Sequence, residues 1–136
     1  MSLLYQENGS LVPGVHLLNW EDFKKEFGFN KHRMRLIQGL ELAITELRDV
    51  QCKKIYVDGS FTTKKRDPKD FDVCWDPTGV DFNKFSSKYP VLWWSFPDTS
   101  KQKARYQGEF FPSPKFLAFF QKDKDDNAKG IVQLDL

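Results

Sequence analysis

Cysteine is scarce in this sequence: Cys52 and Cys74 are the only two, and neither has the paired spacing of a zinc site or a redox motif. Their apolar neighbours favour buried free thiols. Long apolar runs are missing as well. Nothing approaches the roughly 18–20 residues that a membrane span requires, and the first residues lack a charged segment followed by an apolar one, so a cytoplasmic protein away from membranes is expected. An excess of one charge is also absent, since 21 Lys+Arg face 19 Asp+Glu; that balance excludes binding to nucleic acid through bulk charge, and basic residues have to be read locally. Histidine is rare too. His16 and His32 lie far apart, neither beside a serine or cysteine, and read as ordinary surface or capping residues.

Aromatic residues are plentiful. The 136 residues include 13 Phe and 4 Trp, enough to bury a hydrophobic core because each ring removes on the order of 150–250 Å² from water. One domain over residues 1–136 is expected.

Along the chain, the stretch through Gly14 has turn signals and no sustained apolar period, and reads as an irregular lead-in. Asn19 stands at an N-cap position before Glu21 and Asp22, with Phe23 and Phe27 four apart and Gly28 as stop; a helix over 20–27 follows. After Asn30, Met34, Ile37, Leu40, Leu42, Ile44, Leu47 and Val50 recur near helical spacing, which predicts an amphipathic helix to about residue 50. Strands are expected at 55–57 and 71–75, neighbours in one sheet, and a brief helix over 80–89. A third strand is expected at 91–96, a short aromatic helix at 115–121 and a terminal strand at 130–136. Residues 100–111 read as mixed and basic, and 122–129 as a charged, solvated connection. The class is α+β, with helices packed on a small mixed β-sheet.

One constellation carries chemistry. Val57-Asp58-Gly59-Ser60 is followed by a spacer, Phe61 to Lys69, and then by Asp70-Phe71-Asp72-Val73. This pattern of a hydrophobic residue, Gly-Ser, a spacer and Asp-hydrophobic-Asp-hydrophobic resembles the nucleotidyltransferase superfamily. More broadly, the chain is similar to a group of small uncharacterised prokaryotic proteins, some of them phage-borne, that share the Gly-Ser-Phe, the Asp-Phe-Asp and an ending like residues 129–132. Residues two apart on a strand project to one face, so Asp70 and Asp72 point together while Phe71 and Val73 enter the core. Such a pair can hold divalent ions that clamp a nucleotide's phosphates, and Mg²⁺ or Mn²⁺ suits the hard oxygen ligands. Gly59 lets backbone approach a phosphate, and Ser60 adds a hydroxyl. Lys64, with Lys65 and Arg66, could neutralise phosphate charge, although basic loops of this kind are usually only solvated.

The resemblance implies a metal-dependent transferase that moves a nucleoside monophosphate from a nucleoside triphosphate to a hydroxyl on protein, RNA or a small molecule. It equally implies a rival: an inactive, antitoxin-like or regulatory module that binds a toxin-like protein partner. Taken singly, Gly-Ser after a strand is an ordinary turn and Asp-x-Asp is common; the joint spacing, and the cost of placing two carboxylates together without a cation, favour a site. Active members of the superfamily place a third carboxylate on a later strand. The expected strand 91–96 has none, which leaves Asp58, Asp98 and Glu109 as substitutes. Trp93 and Trp94 would face opposite ways on that strand, so that at most one could stack on a base. Lys101, Lys103, Arg105 and Tyr106 interleave basic and aromatic side chains, more as an exposed face than as an RNA surface.

Overall fold

A computed structural model describes residues 3–94, 97–113 and 121–136. The fold is mixed α+β. Among the described residues, strands β1 (Gly14–Leu18), β2 (Lys54–Asp58), β3 (Phe71–Trp75), β4 (Gly108–Pro112) and β5 (Gly130–Asp135) form one sheet in the order β1-β5-β2-β3-β4. β2 lies antiparallel to both β3 and β5, whereas β1 with β5 and β3 with β4 are parallel. The helices are α1 (Trp20–Phe27), α2 (Lys31–Asp49), α3 (Phe82–Lys88), α4 (Pro90–Trp93) and α5 (Ser100–Tyr106). No helix among the described residues is long and apolar enough to cross a membrane.

Local chemistry sets the first two helices. The side chain of Asn19 accepts from the backbone N–H of Asp22, and that of Asn30 from Arg33, so each asparagine satisfies an otherwise unpaired donor of the first turn. α2 buries Leu36, Ile37, Leu40, Ala43, Ile44 and Leu47, while Met34 and Leu42, expected on the apolar face, stay exposed. α5 crosses α2 at Gly39, where a Cβ would meet the Tyr106 carbonyl oxygen at 2.1 Å; any side chain there would force the two helices apart.

The strands alternate. Ile55, Val57, Phe71, Val73, Trp75, Phe110, Val132 and Leu134 face the helices and are buried, in a core crossed by a run of ring contacts from Phe23 through Phe61 and Phe71 to Phe110 and Tyr106. The opposite face carries a smaller apolar cluster of Cys74, Phe111 and Ile131 with Tyr56 beside it. Both cysteines are free and buried, and burial pushes their thiols up to about 11 for Cys52 and about 12 for Cys74.

One expectation is corrected, and two segments without an assigned element are ordered. After the lead-in comes a strand that was not expected: β1 lies at a sheet edge with Val15 and Leu17 outward and exposed, so its apolar alternation does not look like a buried pattern. Residues 91–96 hold no third strand in their described part. Pro90 stands at the first position of the short α4, where its missing N–H costs nothing. Leu92 enters the core and the Trp93 ring packs at an angle against Trp75 and Phe85, so neither tryptophan stands on a strand beside the site. The mixed, basic segment that follows is ordered as α5 and β4. The inward residues of α5 are Gln102 and Tyr106, and Gln102 is satisfied by the Val91 carbonyl at 3.0 Å and the Phe110 N–H at 2.9 Å; a helix that buries polar side chains shows no apolar period. The helix expected at 115–121 lies, except for Gln121, outside the described residues.

Candidate functional site

The acidic residues gather at one end of the open sheet face. β2 and β3 pair with Asp58 opposite Asp72, and β3 and β4 pair with Asp72 opposite Glu109. Three carboxylates therefore stand in one row across three adjacent strands, with side chains on the side away from the helices. Asp70 precedes β3 by one residue and joins the row through Lys103, whose Nζ lies 3.5 Å from Asp70 Oδ2 and 3.3 Å from Glu109 Oε1. Thr99 donates to the other oxygen of Glu109 at 2.8 Å.

Gly59 and Ser60 adjoin this row. β2 ends in a turn where Gly59 has φ +91°, and Ser60 opens a single 3₁₀ turn to Thr62. An added Cβ at Gly59 would stand 2.9 Å from Asp72 Oδ2, so glycine serves both the backbone angle and the seat of the carboxylate. The spacer after the turn is held from beneath by Arg33. Its side chain is fully buried, lies against the Phe29 and Phe61 rings, and donates to the carbonyls of Phe27, Phe61, Thr63 and Lys65. Asn30 donates to the Arg66 carbonyl at 2.8 Å, and the ring of His32 bonds the Pro68 carbonyl.

Charge in the row is unbalanced. Burial, followed by the neighbouring Glu109, Asp70 and Asp58, raises the Asp72 carboxyl from 3.8 to about 7, with Lys129 acting the other way. Burial also raises Asp58, again opposed by Lys129. Asp58 is 3% exposed; Lys129 Nζ sits 3.1 Å from its Oδ1, yet that oxygen has no well-aligned hydrogen bond.

Among the expected residues, Gly59, Ser60, Asp70 and Asp72 are brought together, with Asp58 and Glu109 flanking Asp72 on the neighbouring strands. Asp98 instead accepts from the Ser100 N–H at 3.0 Å, at the turn into α5. Lys64 is not brought to the row: its ammonium pairs with Glu26 at 3.2 Å and lies over the Tyr5 ring. Of the basic segment, Lys103 enters the site, whereas Arg105 pairs with Glu46 at 2.7 Å. His16 bonds the Val12 carbonyl at 2.8 Å, a structural role like that of His32. Sequence reading missed Lys129 and its loop. A cavity of 620 Å³ has Asp58, Ser60 and Asp72 on one side and Lys122, Asp123, Lys124, Asp126 and Lys129 on the other.

Asp70, Asp72 and Glu109 offer the hard oxygen donors that Mg²⁺ or Mn²⁺ takes, and a partly buried carboxylate crowded by three others is a donor that a cation would relieve. Among the described residues, no three such groups already stand at ligand spacing. Lys103 and Lys129 lie among them instead.

Fold and site together define a mixed α+β domain with helices on one face of its sheet and a carboxylate row with a Gly-Ser turn on the other. Residues 3–135 match a family of unknown function, DUF6932, and the chain belongs to it. No curated protein and no solved structure matches the chain.

Proposed function

We propose that the protein is a metal-dependent nucleotidyltransferase that moves a nucleoside monophosphate from a nucleoside triphosphate to a hydroxyl acceptor. The observation that carries this reading is the row itself: Asp72 and Glu109 are paired in register, Asp70 is tied to Glu109 through Lys103, and Gly59-Ser60 backs directly onto Asp72. The third carboxylate that the expected strand 91–96 lacked is supplied by Glu109 on β4.

In this reading Asp70, Asp72 and Glu109 hold Mg²⁺ or Mn²⁺, which when bound neutralises phosphate charge and orients the triphosphate. Ser60 offers its hydroxyl to a phosphate oxygen, while the absent side chain of Gly59 leaves room for the Asp72 carboxylate beside it. The acceptor oxygen bonds to the α-phosphorus as the bond to the bridging oxygen breaks. Pyrophosphate leaves with that electron pair, and the hydroxyl proton passes to a carboxylate of the row and on to solvent. The chain's own contribution is placement and charge, the usual substance of phosphoryl transfer.

A second reading, an inactive module that binds nucleotide or a protein partner, is favoured by Lys103 and Lys129, which already neutralise carboxylates of the row. Incubation with labelled nucleoside triphosphates, Mg²⁺ or Mn²⁺ and cell extract separates the two. Label transfer that disappears in Asp72→Asn and Glu109→Gln supports the transferase; binding of triphosphate without transfer under all these conditions supports the inactive module.

A further inference from the structure

We infer that the loop from Gln121 to Gly130 is the phosphate grip of the site, with Lys129 as the side chain that contacts the polyphosphate. The inference rests on the transferase reading for the nature of the ligand, and on the loop for its own support.

The loop is built, not loose. Lys122 and Ala128 form an antiparallel bridge, Lys129 N–H donates to the Gln121 carbonyl at 3.0 Å, and the Asp123 carboxylate accepts from the N–H groups of Asp125 and Asn127, both at 2.9 Å. Gly130 N–H then donates to the Leu11 carbonyl at 3.0 Å, which hands the chain to β5 beside β2. This pairing carries Lys129 across the sheet end to Asp58. Its side chain is 15% exposed, an unusual position for a lysine, and its ammonium lies in the cavity that Ser60 and Asp72 also line.

The lining selects a class of ligand. Four carboxylates, Asp58, Asp72, Asp123 and Asp126, face three lysines, 122, 124 and 129, and Lys122 already pairs with Asp126 at 3.4 Å. A bare anion would meet as much repulsion as attraction there. A polyphosphate carrying a divalent cation offers both signs, its cation toward the carboxylate row and its oxygens toward Lys129 and Ser60. Asp58 holds Lys129 ready in the free protein, and phosphate oxygens would share its ammonium with that carboxylate.

The test uses calorimetric titration of the whole chain with Mn²⁺ plus ATP and, separately, Mn²⁺ plus inorganic tripolyphosphate, which isolates the phosphate contact from the base. Lys129→Gln alone would leave Asp58 buried without its cation, so the comparison is between Asp58→Asn and Asp58→Asn with Lys129→Gln, both checked for cooperative melting. We expect Asp58→Asn to bind tripolyphosphate at least as tightly as the native protein. Adding Lys129→Gln should weaken binding about tenfold to a hundredfold, the usual loss for a hydrogen bond to a charged group, and Lys129→Arg should stay within a few-fold of native. A difference below about threefold between the two Asp58 variants overturns the grip and leaves the transferase reading standing. Failure of the native protein to bind either probe overturns both.

Discussion

Replacing Asp72 by Asn tests the electrostatics of the row without touching the core. In the unfolded chain this carboxyl titrates near 3.8, and in the native protein near 7, chiefly through burial and then through Glu109, Asp70 and Asp58. The native state thus binds a proton more tightly than the unfolded chain. Stability from this group is present below about pH 4 and declines as pH rises toward 7, because the unfolded chain loses its proton over that window while the folded one retains it. At about 1.4 kcal/mol per pH unit between the two values, the penalty above pH 7 is on the order of 2–4 kcal/mol, allowing for partial exposure of the side chain. Asparagine never ionises. Urea unfolding of Asp72→Asn and the native protein at pH 3.5, 6 and 8 should give nearly equal stabilities at the lowest pH and a variant more stable by a few kcal/mol at the highest. By melting, the gap at pH 8 should be roughly 5 °C or more. Excess Mn²⁺ with a triphosphate at pH 8 should raise the native midpoint, by about 2.7 kcal/mol at a hundredfold excess over Kd, and leave the variant unmoved. A stability difference that does not change with pH, or a variant less stable at pH 8, would refute the crowded-carboxylate account.

Asp70→Asn should change stability at pH 8 by less than about 1 kcal/mol, since Asp70 is partly exposed and its loss of the Lys103 pair is offset by relief of Asp72; urea titration reads this directly. Gly59→Ala should cost about 1–3 kcal/mol and abolish triphosphate binding, because its backbone has φ +91° and the new Cβ would press on Asp72 Oδ2; calorimetry with Mn²⁺ and ATP checks the second half. Glu109→Gln should remove the Mn²⁺-induced rise in melting temperature while leaving the fold intact, as shown by unchanged circular dichroism. Arg33→Met should destabilise by on the order of 3 kcal/mol, since the carbonyls of Phe27, Phe61, Thr63 and Lys65 lose a shared donor; denaturant unfolding measures it.

The parts of the fold that were legible in the sequence are those whose cause is local. Asn19, Asn30 and Gly28 mark helix ends by their own hydrogen bonds and backbone angles, and the alternation of Phe71 to Trp75 states its own strand. The Gly59-Ser60 and Asp70-Asp72 pairing was readable for the same reason. Glu109 could not be placed, because its strand follows a helix whose buried faces are Gln102 and Tyr106, and because Val91-Leu92-Trp93 imitates a strand until Pro90 and the packing of Trp93 turn it into a helical turn. Lys129 carries no local signal at all. Its position comes from β5 pairing between β1 and β2, a contact across more than half the chain. Alternating lysines and aspartates at 122–125 could at most have marked a turn.

Arg33 reads the spacer between the Gly-Ser turn and the acidic strand by its carbonyl oxygens alone. Carbonyls are common to every residue type, so the exposed side chains of Lys65 and Arg66 are free to change while the path of the backbone is not. Substitutions at the exposed positions 64–67 can therefore leave the two halves of the site in the same place, whereas Phe61, Thr62 and Pro68 are buried and bound by packing. The residue that fixes the distance between them lies in another element, near the start of α2, where an alignment centred on the motif would not look for it.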